Sequence, residues 1–224
     1  MTKPVKTRRY RSPVREEQAA ATRRAVLDAA RDLFTTVGYP GTTVADVARD
    51  AGVSVDTVYA SVGRKPELLL AVHDMALAGG DEPVAASERD YVAQVRAAPS
   101  GAAKLRTYAD ALGARFPHVV PLALALQRAA EDDPACRAVW EGLEERRRTN
   151  MRALARELRE TGDLRDDLDD EAVAHRLWLA NSPQYYRLVT SGGRTPRDYA
   201  DLVLDTWTRT LLRVPATASD TTSS

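Results

Sequence analysis

Intramolecular disulfides are the first thing this sequence rules out, because its 224 residues hold a single cysteine, Cys136. That usage suits a reducing cytosol. Aromatics are scarce, at 6%, and no stretch has the alternating, β-branched character of a good strand. No apolar run approaches the roughly 18–20 residues that a membrane-spanning helix needs; the longest, 119–126, contains Pro121. The basic start (Lys3, Lys6, Arg8, Arg9, Arg11) is not followed by the apolar core of a signal peptide. Nucleophile-elbow, phosphate-loop and dinucleotide-binding fingerprints are missing. His73, His118 and His175 lack the spacing of a metal site, and the acidic stretch 163–171 lacks the glycine and spacing of a calcium loop. The expectation is a cytoplasmic protein with no membrane partner, no metal and no cofactor.

What is present favours helices. Ala, Leu, Arg, Glu and Asp dominate. The formal net charge is zero but unevenly spread: residues 1–66 carry 12 basic against 7 acidic side chains, and the remainder 20 against 25. A basic N-terminal block on an acidic body suggests that the first block alone meets a polyanion. Residues 1–16 read as a disordered basic arm and 214–224 as a disordered tail. Between them, apolar periodicity and Gly or Pro breaks predict helices over 22–37, 44–50, 55–62, 66–77, 87–97, 100–116, 117–132, 134–161, 169–181, 183–191 and 196–213. The predicted fold is all-α: a three-helix helix-turn-helix domain over 17–66, then a larger helical domain over 67–213.

Chemistry concentrates in residues 42–72. Two short helices flank the turn Ala51-Gly52-Val53, with Thr42 or Thr43 as N-cap of the first and Ser54 of the second. Gly52 permits the positive φ of a tight turn. Val44, Val47 and Ala48 supply an inner face, and Val53 and Val58 plug the junction. The outer face of the second short helix then bears Val55, Asp56, Thr57, Tyr59 and Ser61, all short or flat enough to enter a major groove about 12 Å wide. Arg64 and Lys65 follow at its end, where cations suit the helix dipole and a phosphate. The same pattern also serves a core-forming three-helix unit with no nucleic-acid partner.

These residues resemble the tetracycline-repressor (TetR) family of bacterial regulators over roughly 22–72. The resemblance rests on AVLDAARDLFTTVGYPGTT, the ADVARDAGVS turn, Tyr59 and the Lys65-Pro-Glu-Leu-Leu entry to the fourth helix. It implies that Thr43, Thr57, Tyr59, Ser61 and Lys65 touch the DNA backbone, and that Val55, Asp56 and Thr57 face base edges, with Val44 and Ser54 beside them. Two departures stand out. Val62 occupies a usually aromatic position, and Asp56 would repel phosphate yet could accept from a cytosine amino group. The resemblance further implies a homodimer that binds a near-palindromic double-stranded operator and answers to a small-molecule effector.

The larger domain offers candidates for that effector. The segment 117–132 is apolar nearly all round and reads as the central helix. Tyr108, Phe116, His118, Trp140, Trp178 and Tyr185 could line a pocket beside it or simply fill the core. Arg147 falls within the apolar stripe of Cys136, Trp140, Leu143, Met151, Leu154 and Leu158. It must pair or snorkel, either with a carboxylate on a neighbouring helix or with an anionic or carbonyl-bearing effector. Helix 196–213 is apolar on two adjoining sides, one of which suits a partner copy. A competing function, an all-α small-molecule binding protein or enzyme without DNA binding, would need acid–base groups in one cleft, and no such cluster is visible.

Overall fold

The computed structural model describes residues 13–79 and 89–213. Most of the expected arm (1–12) and the tail (214–224) lie outside the described residues. The chain divides between Val72 and His73 into two compact units.

In the first unit, α1 (Pro13–Thr36) is followed by α2 (Val44–Asp50), α3 (Val55–Ser61) and the start of α4 (Lys65–Ala78). Residues 13–16, read from sequence as arm, are helical, and α1 begins well before the expected Thr22. Residues 14–21 are all exposed. Periodicity cannot register a turn that buries nothing, although Pro13 at the start and the Glu-Glu-Gln-Ala-Ala-Ala run favour one. Apolar periodicity puts Ala25, Val26, Ala29, Ala30, Leu33 and Phe34 on one face. Of these Val26, Ala30 and Phe34 are buried, together with Leu27, whereas Ala25 is exposed; Val47, Ala48, Val58, Leu68, Leu69 and Val72 are buried in the same unit.

The second unit continues α4 and adds α5 (Asp90–Ala97), α6 (Gly101–Asp132), α7 (Pro134–Arg159), α8 (Asp170–Ala180), α9 (Pro183–Thr190) and α10 (Pro196–Leu211). No strand occurs among the described residues; Leu164 and Leu212 form an isolated bridge. The expected helices 100–116 and 117–132 are one element, which runs through Pro117 and Pro121. Each proline removes one intrahelical donor, but the surrounding turns are pinned by the buried Leu112, Phe116, Val119, Val120, Leu122 and Leu126. Tertiary burial thus outweighs the local break. As expected, α6 is central, packed against α5, α7, α9 and α10.

The inward stripe of α10 is Tyr199, Val203, Trp207 and Leu211, each with no exposed surface. It draws on both sides that the sequence separated, so less apolar surface is left over than expected: Leu202 on α10, with Leu179 on α8 and Leu188 on α9.

Side chains from two other helices complete the C-terminal end of α8. The Tyr199 hydroxyl donates to the Ala180 carbonyl at 2.8 Å. Arg147 donates to the carbonyls of Trp178, at 3.2 Å, and Asn181. These acceptors lie at or just past the last turn, where intrahelical donors run out.

Candidate functional site

The two short helices owe their entry points to local chemistry. Thr43, not Thr42, caps α2: its hydroxyl accepts from the Asp46 amide, and the Asp46 carboxylate accepts from the Thr43 amide in return. Thr42 is buried and its hydroxyl donates to the Gly38 carbonyl. The hydrogen bond from the Thr43 hydroxyl, the largest effect, and Arg49 beside it hold the Asp46 carboxyl below its ordinary pKa. The Val53 amide bonds to the Ala48 carbonyl and the Gly52 amide to that of Arg49, closing α2 over Gly52 at φ 67°. Ser54 then caps α3 by accepting from the Thr57 amide.

This entry fixes the roll of α3. Val58 is wholly buried, so Val55 and Tyr59, 37% and 47% exposed, face outward with Asp56. Thr57 is half-buried, its hydroxyl 2.8 Å from that of Ser54. Ser61 is half-buried, and its backbone carbonyl receives Arg23 from α1. Val44 is half-buried at the start of α2.

Lys65 opens α4, one residue before the expected start at Pro66, and its ammonium lies 4.2 Å above the centre of the Tyr39 ring. The ring steers the lysine, which stands at the N-terminal end of α4.

The second unit holds a cavity of about 510 Å³ between α4, α6, α7 and the segment around Arg89–Tyr91. Of the predicted effector contacts, Tyr108, Phe116 and Arg147 line it. His118 is exposed, Trp140 is half-buried off the lining, and Trp178 packs against the core. Tyr185 lines a separate shallow depression with Leu179 and Leu188. The stripes assigned these side chains to helix faces, but they could not assign a face to the void.

Arg147 is spoken for. Its Nη1 lies 2.5 Å from Glu144, one turn back on its own helix rather than on a neighbour, and its Nη2 serves the end of α8. The cavity gains groups that sequence reasoning did not single out: Asp74, Arg89, Arg115, Arg146 and Asn181. Arg146 forms two hydrogen bonds with Asp74, at 2.9 and 3.0 Å, and the His73 Nδ1 donates to the same carboxylate at 3.2 Å. Burial alone would raise the Asp74 pKa, but the hydrogen bonds and charges of His73 and Arg146 outweigh it and bring it to about 2. Nothing in the local pattern marks a pair separated by 72 residues. Among the described residues no group of three or more His, Cys, Asp or Glu is placed to hold a metal ion, and no helix is long and apolar enough to cross a membrane. Cys136 is buried, its thiol 3.4 Å from Asp133.

Comparison with known proteins gives this arrangement a family. Residues 26–72 match the model of bacterial regulatory proteins, tetR family. The HTH-type transcriptional repressor AcnR of Corynebacterium jeikeium is 30% identical over 159 residues, which cover 69% of this chain and 74% of that protein. The chain belongs to the TetR family. Its fold agrees. A transcriptional regulator from Saccharomonospora viridis in complex with choline superposes with a TM-score of 0.64 at 18% identity, over 86% of this chain and 98% of the other. The SmeT–triclosan complex superposes at 0.59, also at 18% identity, over 91% and 100%. The chain is therefore an all-α transcriptional regulator and not an enzyme, with its TetR-family helix-turn-helix carried by the helices just described.

Proposed function

We propose that this TetR-family regulator is a ligand-responsive repressor, working as a cytoplasmic homodimer on a near-palindromic operator. The outward face of α3, secured over the buried Val58, carries the reading. Val55, Asp56 and Thr57 would face base edges. Thr43, Tyr59, Ser61 and Lys65 would hold phosphates, with Val44 and Ser54 alongside, and residues 1–16 would add basic contacts. A phosphate beside Lys65 would also lie at the N-terminus of α4. Residues 67–213 would bind the effector and the partner copy. The structural neighbours solved with choline and with triclosan support a small-molecule effector, and AcnR supports repression as the sign of the output.

Effector binding would favour a dimer whose two α3 helices no longer match successive major grooves, a shift between existing populations. Footprinting with the wild type and a Tyr59→Ala/Lys65→Ala variant tests the DNA-binding reading. The wild type should protect a near-palindrome, with affinity falling steeply with salt. The variant should keep its helical circular dichroism and lose protection. Equal protection by both proteins would refute the assignment.

A further inference from the structure

Resting on the reading of the cavity as the effector site, we infer that its ligand is a hydrophobic carboxylate whose anionic head is received by Arg89 and the Tyr108 hydroxyl. Arg89 is 6% exposed, lines the cavity, and its Nε is buried with no hydrogen-bond partner. A guanidinium out of water without a counter-ion is costly, and the carboxylates around this cavity are engaged elsewhere. Asp74 holds Arg146, Glu144 holds Arg147, and Glu145 lies against Arg148 and Arg152. Arg115, also on the lining, gives Nε to the Leu77 carbonyl and stacks over Tyr91, with no ion pair to a carboxylate among the described residues. The cavity wall thus holds two cationic side chains that no carboxylate among the described residues balances.

Tyr108 adds a donor. Its hydroxyl accepts from the Asn181 amide at 3.0 Å, which leaves its own proton for an incoming acceptor. Burial pushes its pKa up, so that proton stays in place, and the Arg89 charge is felt at the same oxygen. A fork of guanidinium N–H groups and a hydroxyl donor lining the same cavity suit the two oxygens of a carboxylate. The remaining wall is apolar, with Leu112, Phe116, Val119, Val120 and Met151, so the body of the ligand is hydrocarbon. A quaternary ammonium would meet charge of its own sign there.

Titration calorimetry of the full chain with octanoate and decanoate, each beside its primary amide, and with decyltrimethylammonium tests this. In the wild type each carboxylate should bind about tenfold or more tighter than its amide, the effect of a charge-assisted hydrogen bond. Arg89→Met should reduce that preference to about threefold or less and leave amide affinity unchanged. Arg89→Lys should keep part of it, and Tyr108→Phe should lose part. Arg89→Met should also melt, without ligand, at or above the wild-type temperature, because an unpaired buried charge has gone. A clearly lower melting temperature would mean that Arg89 serves the fold, and would overturn the inference. Amide or ammonium binding as tight as the carboxylate would overturn the anion assignment and leave the cavity as a ligand site. Binding by none of the three classes would remove the cavity reading and this inference with it.

Discussion

A single glycine sets the angle at which α3 leaves α2. Gly52 sits at φ 67° with nothing within 4 Å of where a Cβ would stand. Gly52→Ala therefore carries only backbone strain, and should lower stability by about 1 kcal/mol without displacing a neighbour. Gly113 on α6 is the opposite case. An added Cβ would lie 3.0 Å from the Ala200 Cβ and 3.1 Å from the Pro196 carbonyl oxygen, so Gly113→Ala must move α10. Thermal unfolding should show the Gly113 variant as the more damaged, with the Gly52 variant shifted modestly and its operator affinity reduced. The two glycines were not equally legible. Gly52 follows a helix signal and precedes a cap, so its local sequence declares its conformation, whereas the need for Gly113 arises from a helix more than 80 residues downstream.

Among the elements, α4 and α7 are tied by the Asp74–Arg146 pair. The Asp74 pKa is depressed from 3.8 to about 2, so the native state holds its proton more weakly than the unfolded chain. The resulting stability is present above about pH 4 and is lost as pH falls toward 2. Its size is on the order of 1–2 kcal/mol, after allowance for a half-exposed Arg146. Acid titration of Asp74→Asn should lose that slope and leave the Asp46 contribution in place; an unchanged acid limb would mean that the pair does not stabilise the fold. Capped boundaries were readable in advance where a hydroxyl acts within three residues of itself, as at Ser54 and, between two candidates, Thr43. The start of α1 and the passage of α6 through two prolines were not. One depends on propensity without burial, and the other on burial that overrides propensity. The cavity was legible only as a list of large side chains, since Asp74 with Arg146 and Tyr108 with Asn181 meet across long stretches of chain.

At the scale of the whole molecule, three leucines of α8–α10 bear on self-association. Leu179, Leu188 and Leu202 remain 51%, 72% and 38% exposed, which suits a second copy seated over α8–α10. Leu188→Arg would place a charge in that contact, and sedimentation at one concentration should show a dimeric wild type and a monomeric variant. Because two linked half-site contacts act at high effective concentration, its operator affinity should fall with its oligomeric state while its α3 face is unaltered. A variant that remains dimeric would move the interface elsewhere.

The end of α8 has a consequence for the time dimension of this protein. Its terminal carbonyls are held by Arg147 from α7 and Tyr199 from α10 rather than by its own next turn. Such a helix has little freedom to fray alone, since releasing its last turn requires two other helices to let go. In native-state hydrogen exchange, the amides of α7, α8 and α10 should therefore open together as one cooperative unit with a shared free energy. Arg147→Ala should split that unit, with α8 exchanging ahead of the other two.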